Sequence, residues 1–281
     1  MTNQDWNLQV QKIFHIYWGG DVLPYIRYMT VRSFMQHNPD WKVMLWMPTH
    51  PFKGRTWDTK ELNYEVSCTD YTDKLKELPI TVTEVDFTSF GFPPDMAENF
   101  KSDFMHYFLL HEYGGVCSDM DIVYFKPITN LSVNTIPNHN KEVFVCMGSY
   151  GHSNGFLMGV QGNAFYKSLT DYCLGDFVPN SYQSLGPGLV NKYYPTLEKI
   201  NDISPVANIG MDAVYSHDAF HVTELLDGSP PRFTTNSIGV HWYAGHPLWG
   251  KFMRDTNGGV SNLGNNIIGN ILRINKVDEK Q

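Results

Sequence analysis

Short apolar runs alternate with helix-like segments through the first half of the chain. The runs are rich in β-branched and aromatic side chains, which favour strands, and Gly or Pro marks several of their ends. Strands that alternate with helices pack as layers on a central sheet. The first half therefore predicts an α/β sandwich. Its predicted strands lie at residues 12–18, 41–47, 80–87 and 116–125, and its predicted helices at 24–37 and about 95–113.

The second half is less regular, with long loops from residue 175 onward. It adds strands outside the alternating pattern, so we expect a mixed sheet and a loop-rich C-terminal half. The further strands are predicted at 143–147, 155–160, 203–209 and 236–243, and a helix at 163–174. No linker interrupts the chain, which predicts a single domain over 1–281. Its core is expected at 12–250 and its tail at 251–281, and one amphipathic helix without chemistry is expected from Asp255 onward, over VSNLGNNIIGNILRI.

Composition excludes one class of function and suggests a compartment. The chain has 21 Lys and Arg against 29 Asp and Glu, for a formal net charge of −8, and no basic run. Nucleic-acid binding is therefore not expected. No basic segment followed by an apolar run opens the chain, no run of 18 apolar residues occurs, and the cysteines lack CxxC spacing. We expect a soluble, cytoplasmic protein that is neither secreted nor membrane-spanning.

Asp119 and Asp121 stand two residues apart on the predicted strand 116–125. Side chains alternate along a strand, so both carboxylates point to one face. Two buried like charges are costly unless a cation or a shared proton relieves their repulsion, and carboxylate oxygens suit Mg²⁺ or Mn²⁺. About one Asp-x-Asp pair is also expected by chance in a chain of this composition. The pair alone therefore does not establish a metal site, and the surrounding sequence has to support it.

Five stretches resemble, in order along the chain, one family of enzymes. They resemble the glycosyltransferases with a DxD sugar-binding region, of the family 32 type, which include yeast-type mannosyltransferases, bacterial capsular enzymes and, more distantly, clostridial glucosylating toxins. The family pattern is Ser-Asp and, about sixteen residues later, Asp-x-Asp preceded by Gly-Gly; Asp103 and Asp119 have this spacing. The stretches are KIFHIYWGG (12–20), KSDFMHYFLLHEYGGVCSDMDIVYFKPI (101–128), SNGFLMG (153–159), LGPGLV (185–190) and GVHWYAGHPLWG (239–250).

The resemblance implies a GT-A fold and a metal-dependent, retaining transfer of a sugar from a UDP- or GDP-sugar to a hydroxyl acceptor. Asp103, Asp119 and Asp121 become the predicted catalytic residues. Asp121 would bind Mn²⁺ or Mg²⁺ directly, Asp119 would contact the donor and the ion's waters, and Asp103 would hold sugar hydroxyls. His241 is the candidate third metal ligand, although His246 competes and His241 could equally be a core histidine.

The resemblance also implies a donor site. Trp18 would stack on the nucleobase, or else anchor the core, whereas Tyr17 on the opposite face of its strand is expected in the core. His106 stands where the family often has Arg, which leaves the donor sugar open. Gly186 and Pro187 would form a tight loop near the substrates, or a plain surface turn. The other predicted donor contacts are Gly19, Ser102, Gly115, Asn154 and Trp249.

Two other functions remain open from the residues alone. A glycoside hydrolase also needs two carboxylates, but on opposite sides of the bond that it cleaves, whereas Asp119 and Asp121 project the same way. A non-catalytic sugar- or nucleotide-binding module would explain the aromatic side chains without the Asp pair. The preferred prediction is a glycosyltransferase that takes a nucleotide-sugar donor and a glycan, glycolipid or glycoprotein acceptor. Its expected location is the cytosol of a bacterium or of a virus-infected cell.

Overall fold

The computed structural model describes residues 9–52, 67–131 and 140–275. The strands in these ranges are β1 (Ile13–Tyr17), β2 (Lys42–Pro48), β3 (Thr81–Val85), β4 (Gly115–Ser118), β5 (Ile122–Tyr124), β6 (Val143–Gly148), β7 (Gly151–Gly159), β8 (Val206–Asn208) and β9 (Gly239–His241).

The helices surround these strands. In chain order they are α1 (Tyr25–His37), α2 (Thr72–Lys76), α3 (Glu98–Glu112), α4 (Ala164–Asp176), α5 (Pro187–Tyr193), α6 (Leu197–Asn201), α7 (Trp249–Thr256) and α8 (Ile267–Ile274). Short 3-10 turns occur at Phe87–Phe90, Ile128–Asn130, Met211–Ala213 and Val222–Leu225. Each described helix is too short or too polar to cross a lipid bilayer.

Seven strands form one mixed sheet in the order β3-β2-β1-β4-β7-β6-β8. Strands β1 to β4 run parallel where they pair, and β7 is antiparallel to both β4 and β6. A separate two-stranded sheet pairs β5 with β9 in antiparallel register. The predicted fold class is confirmed: an α/β protein with a mixed central sheet and a loop-rich C-terminal half.

Side-chain alternation on β1 divides the core between the two faces of the sheet. Phe14 and Ile16 join the cluster beneath α1, α7 and α8. Tyr17 joins the cluster beneath α3 and α4, to which α3 contributes Phe100 and Phe104. Because the strand buries both faces, nearly every side chain of IFHIY is buried.

Two sequence predictions are wrong in detail. The run 116–125 is two strands rather than one, because the chain leaves the central sheet after Ser118 and re-forms a strand at Ile122 in the smaller sheet. The helix expected from Asp255 is also shorter than predicted: Asn257, with φ 49°, ends the preceding helix α7, and α8 spans only Ile267–Ile274.

The topology brings three strand ends to one edge of the sheet. Strands β1 and β4 are parallel, so their C-terminal ends lie side by side, and the antiparallel β7 brings its first half to the same edge. In open α/β sheets, ligands bind beyond such carboxyl ends. Trp18, Asp119 and Asn154 all lie at this edge, so a ligand site is expected in the space above it.

Candidate active site

A cavity of about 550 Å³ opens above this edge of the sheet. Its size suits a small organic ligand. Many parts of the chain line it, among them the end of β1, the helix α3, the turn after β4, the first half of β7 and the segment that begins at the end of β9. The predicted site residues that line it are Trp18, Gly19, Ser102, Asp103, Asp119, Asp121, Asn154, Pro187 and His241.

Asp119 and Asp121 belong to the turn between β4 and β5, not to a strand. Backbone hydrogen bonds hold this turn at both ends: Asp119 N donates to Gly155 O (2.7 Å), and Trp242 N donates to Asp121 O (2.9 Å). The carboxylate of Asp121 is fixed separately, because Ala244 N donates to its Oδ2 (2.9 Å). Both carboxylates therefore face the cavity, as the strand interpretation expected, but the turn directs them there.

Asp119, Asp121 and His241 form a cluster of possible metal ligands, with one atom of each lying within 4.8 Å of the others. Nε2 of His241 lies 3.0 Å from Oδ1 of Asp121, and this oxygen has no hydrogen-bond partner among the described residues. Two donor atoms of an octahedral ion with bonds of about 2.1 Å lie about 3 Å apart. The three side chains thus fit a divalent cation. His246 lines the cavity, but its Nδ1 accepts a hydrogen bond from Leu248 N (3.2 Å).

The two carboxylates have opposite pKa shifts. Burial and then the charge of Asp121 raise the pKa of Asp119. Burial disfavours the ionised form of Asp121 too, but the charge and close polar approach of His241, followed by the charge of Arg27 and the hydrogen bond from Ala244 N, lower its pKa overall. Asp121 is therefore the more firmly ionised member of the pair, which suits a ligand of a cation.

Asp103 reaches the cavity from α3. Its Oδ1 accepts a hydrogen bond from Asn154 Nδ2 (2.8 Å), and burial followed by the charge of Asp119 raises its pKa to about 8. Tyr107, one turn further along α3, donates its hydroxyl to Leu185 O (2.9 Å) and contacts Gly186 O (3.2 Å). Gly186 is thereby held beside Asp103, but Pro187 is the first residue of α5, so the predicted tight loop is instead a turn that leads directly into a helix.

His106 lies behind the site and not on the cavity wall. It is buried, its Nε2 is 3.6 Å from Asp119 Oδ1, and burial lowers its pKa to about 4. A neutral imidazole is expected there at neutral pH. Any effect of His106 on a ligand would therefore pass through Asp119.

Trp18 belongs both to the core and to the cavity wall. Its ring packs in the cluster beneath α1, and the guanidinium of Arg27 lies 4.9 Å from the ring centroid. Tyr17, expected only in the core, also reaches the cavity, where its hydroxyl donates to the buried carboxylate of Glu98.

Four predicted donor contacts are not among the residues that line the cavity: His106, Gly186, Gly115 and Trp249. Gly115 starts β4 with φ 99°, and a Cβ there would come within 2.3 Å of Ile13 O, so its role is the helix-to-strand turn. Trp249 is fully buried and packs edge-on against Trp242, with ring centroids 4.8 Å apart.

The cavity residues that were missed from the sequence include Arg27, Glu98 and Tyr243. Arg27 and Glu98 are charged residues on helices, and both are buried. Buried charges are rare and often mark a site, but the sequence alone does not show that these two are buried. Tyr243 lies two residues after His241, so its position next to a predicted ligand was the one available signal.

Residues 27–142 match the family model described as the glycosyltransferase sugar-binding region containing the DXD motif. This stretch includes Asp103, Asp119 and Asp121. The predicted enzyme class, a glycosyltransferase, is confirmed. The matched stretch ends before His241 and covers less than half of the chain. No curated protein sequence matches significantly.

Solved structures of glycosyltransferases resemble the chain at low identity. The PaToxG glycosyltransferase is 15% identical, covering 71% of this chain and 77% of its own, with a TM-score of 0.46. The ligand-free glycosyltransferase domain from the YGT toxin is 12% identical, covering 71% and 80%, with a TM-score of 0.43. The glycosyltransferase GlyE of Streptococcus pneumoniae TIGR4 is 11% identical, covering 94% and 63%, with a TM-score of 0.48.

Proposed function

We propose that the protein is a GT-A glycosyltransferase of the family 32 type that moves a sugar from a UDP- or GDP-sugar to a hydroxyl of a glycan, glycolipid or glycoprotein. The observation that carries this proposal is the convergence of Asp119, Asp121 and His241 on one point of a cavity that Trp18 and Asp103 also line. Asp119 and Asp121 fall within the matched sugar-binding region.

Asp119, Asp121 and His241 would hold a divalent cation, Mn²⁺ or Mg²⁺. Bound there, the ion would supply positive charge that stabilises the leaving diphosphate. Asp121 is the proposed direct ligand, because its ionised carboxylate carries an oxygen free of hydrogen bonds. Asp119 is the proposed contact to the donor, since its side chain is the more exposed of the two.

The remaining cavity residues would bind and orient the donor. Trp18 and Gly19, at the end of β1, are the proposed contacts of the nucleobase. Asp103 and Asn154, already joined by a hydrogen bond, are the proposed contacts of the sugar hydroxyls, with Ser102 beside them. Orientation and charge stabilisation would then supply most of the catalysis. We include retention of the anomeric configuration in the proposal, and NMR of the product tests it.

The proposed location is the cytoplasm. Cys68, Cys117, Cys146 and Cys173 are free thiols, and three of them are buried. Unpaired cysteines are usual in a reducing compartment. Labelling of the thiols in protein taken directly from cells would test this proposal.

A screen of sugar nucleotides for slow hydrolysis tests the function, with and without Mn²⁺. We expect one UDP- or GDP-sugar to be hydrolysed only with metal, and Asp121→Ala to lose this activity while remaining folded. The nucleotide alone should raise the melting temperature more in the presence of Mn²⁺. Metal-independent nucleotide binding without hydrolysis would favour a binding module, and hydrolysis of free glycosides instead would favour a glycoside hydrolase.

A further inference from the structure

Tyr243 has a backbone conformation that is unusual for its residue type. Its φ is 53°, in the left-handed region that large side chains rarely adopt. It lines the cavity two residues after His241. Strained backbone in a cavity often has a functional cause, so the contacts on either side of Tyr243 are informative.

The left-handed turn lets the chain contact Asp121 twice. Before the turn, Trp242 N donates to Asp121 O (2.9 Å). After it, Ala244 N donates to Asp121 Oδ2 (2.9 Å). An extended residue at position 243 would keep the two N–H groups on one side of the chain but move them about 7 Å apart, which would carry the second N–H away from Asp121.

The second contact determines which carboxylate oxygen faces His241. With Oδ2 engaged by the backbone, Oδ1 is the oxygen that lies 3.0 Å from His241 Nε2. The carbonyl of Tyr243 accepts a hydrogen bond from His246 N (2.8 Å), which stabilises the turn from the other side. The Tyr243 ring packs on the His241 ring, with centroids 4.2 Å apart.

We propose that Tyr243 is a positioning residue, whose left-handed backbone aligns the carboxylate of Asp121 with His241 for cation binding. This inference rests on the proposed function, because it assumes that these side chains bind a metal. The backbone is the operative part of Tyr243, so residues that tolerate positive φ should replace it and β-branched residues should not.

Binding of Mn²⁺ to the full chain, followed by the electron paramagnetic resonance of the free ion, tests the inference without any measurement of activity. Tyr243→Val should weaken Mn²⁺ binding about 10–100-fold, the usual cost of losing an outer-shell contact. Tyr243→Asn should bind Mn²⁺ nearly as well as the wild type, because Asn adopts positive φ readily. Asn262→Val is the matched control: Asn262 is exposed, has φ 53° and is absent from the cavity wall.

The outcomes separate the possibilities. Weak binding by Tyr243→Val alone supports the inference. Equal binding by Tyr243→Val and wild type overturns it, as does an Asn variant as weak as the Val variant, which would assign the effect to the ring. A similar loss of Mn²⁺ binding in Asn262→Val would also overturn it, because backbone strain far from the cavity would then have the same effect. If the wild type binds no Mn²⁺, the proposed function fails together with this inference.

Discussion

His15 makes the stability of the fold depend on pH through a single buried ring. Its Nε2 lies 3.0 Å from Gly114 O, and Trp46 Nε1 donates to its Nδ1 (3.2 Å). These partners require a ring that donates from Nε2 and accepts at Nδ1, which only the neutral form can do. Burial is the main reason that the pKa of His15 falls to about 4.

A stability measurement at two pH values tests this effect. The unfolded imidazole takes up a proton near pH 6.5 and the folded one near pH 4, so the stabilisation is complete above about pH 6.5 and is lost as the pH falls toward 4. Between about pH 7.5 and pH 5, we expect His15 to account for a loss of about 2 kcal/mol in the free energy of unfolding. His15→Gln keeps one donor and one acceptor but does not titrate, so its urea-unfolding curves should change less with pH. An unchanged pH dependence would contradict the assignment.

Individual site residues differed in how far the sequence could predict them. Asp103 and Asp119 were predictable because their spacing belongs to one short stretch. Arg27 was not, because it stands in no motif, and Tyr243 was not, because its role follows from its backbone conformation and not from its place in the matching stretch 239–250. Trp249 was assigned to the donor only from its place in a matching string, although a large aromatic side chain is just as suited to the core, where it lies.

For the secondary-structure elements, the sequence predicted which segments form strands more reliably than where each strand ends. The run 116–125 was predicted as one strand because apolar residues stand on both sides of Asp119 and Asp121, although Ser and Asp are also common in turns. The break follows from a distant partner, since β5 pairs with β9, more than 100 residues away in sequence. A local pattern cannot encode such a partner, yet the turn that results carries both carboxylates.

Strand β7 supports this turn from behind, and one glycine makes the contact possible. A Cβ at Gly155 would lie 2.4 Å from Asp119 Oδ2 and 3.0 Å from the Tyr215 hydroxyl oxygen. Gly155→Ala should therefore displace the Asp119 carboxylate and lower Mn²⁺-dependent donor hydrolysis about tenfold or more. Initial rates at several Mn²⁺ concentrations would measure the loss.

Gly175→Ala is the matched control for this prediction. Gly175 lies in α4 with no atom within 4 Å of its missing Cβ. Alanine should raise the free energy of unfolding there by up to about 1 kcal/mol, and leave donor hydrolysis unchanged. If both variants keep full hydrolysis, close packing of β7 against the Asp119 side chain does not matter for the reaction.

For the whole molecule, the described end of the chain is tied to the rest of the fold. Asn275 follows α8 and is fully buried; its Nδ2 donates to Tyr124 O (2.8 Å), and its Oδ1 lies 3.0 Å from His37 Nε2. One side chain thus joins the tail to β5 and α1. We propose on this basis that residues 1–281 form a single domain whose tail unfolds together with its core.

Asn275→Ala tests this cooperativity. Removing the side chain leaves Tyr124 O without the hydrogen bond from Asn275, which should lower the free energy of unfolding by about 1–3 kcal/mol. In one domain, urea unfolding followed by tryptophan fluorescence and by far-ultraviolet circular dichroism should shift by the same amount. Asn265→Ala, an exposed change in the loop before α8, should alter neither curve. Two separate transitions, with only one of them moved by Asn275→Ala, would show that the tail unfolds independently of the core.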